Sequence, residues 1–402
     1  MTMCKEEKMN RGKKAKLVWG VLIFGLSLCI AGCSSSEPAE MDTSMEAAPA
    51  RNLAIVYASR ANSSGDLSVA EPYIKAAVEN ECYFVGVSSD GRPQSFSGSF
   101  ELSQENGRRR NAEIHDNIES IKRMNWTAQS EESDLFAAIC KANDQLGAVS
   151  GSGAPNLLII IDSGVSTAGP INFIEESSRR ALLDPEKFIA VLRENGDLAK
   201  FDNIDEVMWF GLGETSEPQG SLNKGTKAAM QELYRALFEA AGVTLPEEDN
   251  EMFKPGSGIG PADDLPLVTP VDMPRISLDE EGRPIRLGDN VEFNEKAHEG
   301  AFTFERNSSD LANADAARQA LQDYVDQLTD FPELQITVNG YTDTAGNEEY
   351  NLELSKQRAN TVKALLVDAG VSEGRITAVG MGESDTYQDD AQNRRVEIVF
   401  GE

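Results

Sequence analysis

Short aliphatic runs alternate with helical repeats through the first half of the chain. Residues 53–58 and 82–87 read as strands, and 157–161 is an unbroken aliphatic run, as expected of a strand buried on both faces. A similar strand ends over 207–211. Residues 69–80, 109–124 and 134–146 carry apolar side chains at helical spacing, and 227–241 closes the block with Met230, Leu233, Leu237 and Ala240 on one face. Such alternation predicts a mostly parallel sheet covered by helices, a three-layer α/β/α unit.

The last part of the chain has a different rhythm. Leu321, Tyr324, Val325 and Leu328 form one helical face, and a second helix over 349–369 buries Leu354, Val362, Leu365 and Leu366. Ile336 and Val338 alternate in a strand that Asn339-Gly340 is expected to break. A strand over 375–379 and a last one with Val396, Ile398 and Phe400 inward complete a βαβαββ pattern, an α+β two-layer sandwich. Between the blocks, 246–287 carries Pro261, Pro266, Pro270, Pro274 and Pro284. Prolines that dense exclude helix and disfavour central strands, so this stretch reads as an acidic Pro/Gly-rich linker, part of it free to lie along a domain edge.

Charge narrows the partners. The chain has 402 residues and a net charge of −30, with 67 acidic against 37 basic side chains. That balance opposes nucleic-acid binding, which depends on neutralising phosphates. Any anionic ligand must be held by a local site.

The N-terminus carries Arg11, Lys13, Lys14 and Lys16 before an apolar run over 17–30, short of the ~20 residues of a membrane span. The run closes on Ile30-Ala31-Gly32-Cys33, which resembles the lipobox of bacterial lipoprotein signal peptides. The resemblance implies that 1–32 is removed and that Cys33, acylated on sulfur, becomes the membrane-anchored N-terminus. Residues 33–51 then form a disordered tether, 52–245 and 288–402 the folded regions, and 246–287 their linker. Cys4 and Cys29 leave with the signal, and Cys82 and Cys140 are expected as separate buried thiols rather than a disulfide. The expected location is the extracytoplasmic face of the envelope, on the outer membrane facing the periplasm if the cell has two membranes.

The strand order of 52–245 resembles a von Willebrand factor A-like domain. In that family the first strand ends in Asp-x-Ser-x-Ser, which holds a metal, and a later strand ends in Asp-Gly. Here the later strand ends in Asp162-Ser163-Gly164, but the first ends in Ala58-Ser59-Arg60-Ala61-Asn62. Ala58 replaces the carboxylate ligand and Arg60 brings a positive charge to the cation's position, so the site is expected to be degenerate and to hold no metal. Asp162 then has two readings: part of a protein- or ligand-binding surface at the carboxyl end of a parallel strand, or turn chemistry in which Asp, Ser and Gly cap the following helix and satisfy backbone donors.

Residues 288–402 resemble the OmpA-like peptidoglycan-binding domain. The resemblance rests on Gly340-Tyr341-Thr342-Asp343-Thr344-Ala345-Gly346, then Asn351, Leu354-Ser355 and Arg358-Ala359, the turn Gly380-Met381-Gly382-Glu383-Ser384, and the terminal Asn393-Arg394-Arg395-Val396-Glu397-Ile398. Diaminopimelate in a stem peptide ends in an ammonium and a carboxylate on one carbon, so its site needs an anion and a cation close together. Arg358 suits the carboxylate bidentately and Asp343 the ammonium. The family's Asp and Arg of this motif do these jobs. Asn307 falls where family members place a ligand-contacting loop residue, though Phe304-Glu305-Arg306-Asn307-Ser308-Ser309-Asp310-Leu311 departs from the family's Phe-Asp-x-x-Ser-x-x-Leu and follows a polar insertion with His298. Thr342 is expected to add a hydroxyl or backbone donor, and Asn351, Asn393 and Arg395 to support the loop.

No Gly-x-Ser-x-Gly elbow, His-Glu-x-x-His run or phosphate loop is present, and His115 and His298 lie in different regions. These features favour a binding protein without cofactor, whose N-terminal region engages an unknown envelope protein. The rival reading is a wall hydrolase targeted by its C-terminal domain. The lipobox generates a direct prediction. Cys33→Ala is expected to accumulate as unprocessed precursor on immunoblots; processing and detergent-dependent extraction identical to wild type would refute the anchor.

Overall fold

The computed structural model of the protein describes residues 48–63, 65–103, 107–148, 153–256, 264–294, 296 and 300–401. Cys33, His298, the signal segment and most of the tether lie outside the described residues. No helix among the described residues is long and apolar enough to cross a membrane.

The first half builds one sheet from β1 (Asn52–Tyr57), β2 (Tyr83–Ser88), β3 (Ser95–Ser99), β4 (Asn156–Ile161), β5 (Glu206–Phe210) and β6 (Phe253–Lys254), in the order β3-β2-β1-β4-β5-β6. All pairs are parallel except β2–β3. Side chains alternate across the sheet. Leu53, Ile55, Leu157 and Ile159 face α1 (Glu71–Glu79) and α2 (Gly107–Lys122). Ala54, Val56, Leu158 and Ile160 face α3 (Leu135–Gly147), α5 (Pro185–Asn195) and α6 (Lys224–Ala240). The short α4 (Glu176–Arg180) precedes α5, and α7 (Asp249–Met252) precedes β6. Cys82 and Cys140 are both free thiols. Burial pushes the Cys140 thiol up to about 11, with Asp144 and Asp134 adding to the effect.

The stretch 246–287, expected to be a linker without helix or central strand, instead contributes α7 and the sheet strand β6, because Met252 and Phe253 are buried against the core. Its residues 264–287 are packed, largely without regular structure. Val268, Val271, Ile276 and Ile285 are buried, and the last three belong to an apolar cluster that continues into the C-terminal sheet. Arg275 forms a forked pair with Asp330 (Nε and Nη2 at 2.8 and 2.9 Å), and Arg286 pairs with Glu232.

The C-terminal region holds β7 (Asn290–Phe293), α8 (Ala314–Asp330), β8 (Gln335–Thr342), α9 (Glu348–Asp368), β9 (Ile376–Glu383), the one-turn α10 (Asp390–Asn393) and β10 (Val396–Gly401). The sheet order is β7-β10-β8-β9, with β8–β9 parallel and β10 antiparallel to both its neighbours. The pattern of strands and helices follows the expected βαβαββ. Two local expectations fail. β8 does not break at Asn339-Gly340 but runs to Thr342, and Gly380-Met381-Gly382 is strand rather than turn, with a register irregularity opposite Gly340 and Thr342.

The reason lies in the helix above. Gly340 and Gly380 are register partners. A Cβ on Gly340 would sit 2.0 Å from Ser355 O, and one on Gly380 would sit 2.7 Å from Lys356 N. These glycines form a trough in which α9 lies directly on β8 and β9; they permit contact rather than ending strands. Overpacking a tight contact costs about 1–3 kcal/mol or more. Gly340→Ala is therefore expected to lower denaturant stability by at least about 2 kcal/mol, whereas Gly374→Ala, with nothing within 4 Å of the added carbon, should change little. Equal midpoints for the two variants would contradict the close-packing account.

Candidate functional site

Three segments converge where β8 ends: the loop after Thr342, the middle of α9, and the loop 304–311. Asn347 caps α9 by accepting from Tyr350 N at 3.1 Å. The close seat of α9 brings Arg358 against the end of β8. Arg358 is 1 % exposed. Its Nη1 donates to Tyr341 O and its Nε to Ser308 O, both at 3.2 Å. Its guanidinium carbon lies 5.0 Å from the centre of the Phe304 ring. The 304–311 loop that supplies these contacts is closed by a bridge between Phe304 and Leu311.

The hydrogen-bond partners of Arg358 are thus carbonyl oxygens, not a carboxylate. Burial first, and then the charge of Arg394, pushes its pKa down to about 10, with Asp343 acting in the opposite sense. Arg358 therefore remains a cation at neutral pH. A buried guanidinium coated by carbonyls and a ring keeps a strong attraction for an incoming anion.

Asp343 lies beside it but pairs elsewhere. Its Oδ2 accepts from Arg394 Nη1 at 2.8 Å and its Oδ1 from Ala345 N at 3.1 Å. A carboxylate has about four acceptor positions, so two bonds leave capacity for an ammonium. Arg394 is the residue that the sequence reading passed over. A signal was available: Arg394 and Arg395 are adjacent at the entry to a strand, where neighbours point to opposite faces.

The other expected residues sort by burial. Asn307 is exposed and has φ of +56°, a left-handed backbone that asparagine tolerates better than most residues. Its carbonyl accepts from the Tyr350 hydroxyl at 3.3 Å. Thr342 is buried and its hydroxyl donates to Gly382 O at 3.3 Å. Asn351 is buried under the loop, donating to Ala345 O and to Glu383 Oε1. Asn393 donates to Tyr387 O and accepts from Tyr387 N.

Arg395 anchors a separate network. It pairs with Glu397 and Glu292 and stacks 4.0 Å from the Tyr341 ring centre. Tyr341 donates to Glu397 at 2.9 Å, and burial followed by that bond raises its hydroxyl to about 12.

In the N-terminal sheet, Asp162 and Arg60 come together at the carboxyl ends of β4 and β1. Arg60 Nη2 donates to Asp162 Oδ2 at 2.6 Å, and both side chains are buried. Asp162 Oδ1 accepts from Gly164 N at 2.7 Å, the bond of a turn. Arg60 Nη1 is buried without a hydrogen-bond partner. Asp162 therefore faces an internal guanidinium rather than solvent.

Residues 303–398 match the OmpA family. This C-terminal segment is thus OmpA-like, as the resemblance of its motif residues implied. The chain is 36% identical over 121 residues to "Probable lipoprotein YiaD" of Escherichia coli (strain K12), covering 29% of this chain and 53% of that protein. It is 39% identical over 106 residues to "Peptidoglycan-binding protein ArfA" of Mycobacterium bovis, covering 25% of this chain and 32% of that one. A solved structure, the peptidoglycan-associated lipoprotein from Burkholderia pseudomallei, aligns at 28% identity over 26% of this chain and 98% of its own, with a TM-score of 0.23. The chain thus spans about half, or less, of the length of these two curated relatives.

Proposed function

We propose that the protein is a non-enzymatic envelope lipoprotein that tethers the membrane to peptidoglycan by binding the diaminopimelate of stem peptides. One observation carries the reading: Arg358 is a buried cation with carbonyl partners only, next to a carboxylate that retains acceptor capacity. Arg358 takes the ligand carboxylate. Asp343, oriented by Arg394, takes the ammonium. Asn307 and Tyr350 form the rim on the side of the 304–311 loop, and Thr342 contributes through the backbone, since its hydroxyl is already bonded. The similarity to a protein named as peptidoglycan-binding and to one named as a lipoprotein supports this assignment.

For the N-terminal region, a von Willebrand A-like interaction module remains our reading. The order β3-β2-β1-β4-β5-β6, with one antiparallel edge strand, is that of a doubly wound sheet and supports it. Arg60 in place of a metal supports a module that works without a cation. The two-domain division at 52–245 and 288–402 belongs to the same proposal.

The test is co-sedimentation of the full mature chain with diaminopimelate-type sacculi. A hydrogen bond to a charged group contributes about 1.5–3 kcal/mol, so Asp343→Ala and Arg358→Ala are each expected to weaken binding roughly 10- to 150-fold. Arg358→Ala should be the more severe, because it leaves Asp343 facing the ligand carboxylate, whereas Asp343→Ala leaves Arg358 to keep that carboxylate. Arg358→Lys should fall between, keeping charge but losing the fork. Unchanged sedimentation of a folded double variant would remove the case, and release of soluble muropeptides would favour the hydrolase reading instead.

A further inference from the structure

Residues 266–271 lie against the loops that follow β1 and β5 and are gripped there by side-chain amides. Ala61 N donates to Pro266 O at 2.9 Å. The Asn62 amide closes on one residue, donating to Val268 O at 2.9 Å and accepting from Val268 N at 3.2 Å. Thr269 N donates to Glu131 O at 2.9 Å. The Gln219 amide repeats the arrangement three residues on, donating to Val271 O at 2.6 Å and accepting from Val271 N at 2.9 Å. Val268 and Val271 are themselves buried.

A carboxamide is the complement of a peptide unit, one donor beside one acceptor. Two carboxamides at this spacing read an extended backbone and leave identity to the buried Val268 and Val271 side chains, the division of labour seen when proteins capture extended peptides. The place is also the one where doubly wound sheets bind ligands, outside the carboxyl ends of the strands. Residue 60, next to the first clamp, carries the buried Nη1 that has no hydrogen-bond partner. Pro266 and Pro270 hold the bound segment near extended geometry and lower the entropy lost on seating it.

We propose that this crevice is a binding site for an extended peptide, and that residues 266–271 fill it in cis. The partner is a protein segment with two small β-branched side chains three residues apart, recognised mainly through its main chain. The tethered occupant has an effective concentration of roughly millimolar, so a partner gains access only as the segment is displaced. The site is independent of the wall-binding assignment.

The probe is a fluorescein-labelled synthetic peptide of residues 264–275, titrated by anisotropy into the full mature chain. Wild type should bind it at least about 100-fold more weakly than a variant with 264–272 replaced by a Gly/Ser segment of equal length. N-methylation of the probe at Val268 and Val271 removes both clamped donors and should cost at least about tenfold. A folded Gly/Ser variant that ignores the peptide, or binds the methylated form equally, overturns the proposal. A second measurement covers the case in which that variant fails to fold. In Asn62→Ala with Gln219→Ala, hydrogen exchange at Val268 and Val271 should quicken at least about tenfold; unchanged exchange there overturns the clamp.

Discussion

The contact between α9 and the β8–β9 pair sets the geometry of everything around the proposed wall-binding site. Gly340 and Gly380 stand side by side in the sheet, and Ser355 O and Lys356 N occupy the space their side chains would need. The helix therefore lies nearer the strands than ordinary side chains allow. That nearness carries Arg358 to the end of β8, where carbonyls of Tyr341 and Ser308 are within reach. With a Cβ at either position, α9 must lift and Arg358 must lose this seat.

The charges follow from that placement. Arg358 is desolvated, which lowers its pKa, yet it bonds only to neutral oxygens. Asp343 is held by Arg394 on one oxygen and by a backbone N–H on the other. The result is a cation, an anion and a second cation at one loop, with the deepest charge lacking an ionised hydrogen-bond partner. In the proposed function, a zwitterion presenting a carboxylate to Arg358 and an ammonium to Asp343 completes the set. The Arg395 network below supplies rigidity instead, because its guanidinium is already matched by Glu397 and Glu292.

Much of this was legible from the residues, and the exceptions have physical causes. Val396, Ile398 and Phe400 alternate inward as period-two spacing requires, and Asp343 stands near enough to Arg358 for its charge to push that pKa upward, against burial. Gly340 was misread as a strand breaker because a single sequence does not show what packs over a glycine. β3 is Ser95–Ser99, an exposed polar edge strand with no apolar alternation to reveal it. β6 has two residues and takes its identity from pairing with β5. By contrast, α5 carried readable signals that apolar counting overlooked: Asp184 caps it, Pro185 opens it, and Gly196 closes it at φ of +78°. The prolines of 246–287 did not exclude helix or sheet throughout, because α7 and β6 fall before most of them, and the burial of Val268 and Ile276 depends on residues distant in sequence.

The central claim is that Arg358 recognises the ligand's carboxylate, and changing ligand and protein together tests it most directly. Two soluble muropeptides would be titrated calorimetrically into the full mature chain, one ending in diaminopimelate and one in lysine, which lacks only that carboxylate. Wild type should prefer diaminopimelate by roughly 10- to 150-fold. In Arg358→Ala the preference should vanish, both ligands binding as weakly as lysine binds wild type. A preference that persists undiminished in the variant would place the carboxylate elsewhere and contradict the account.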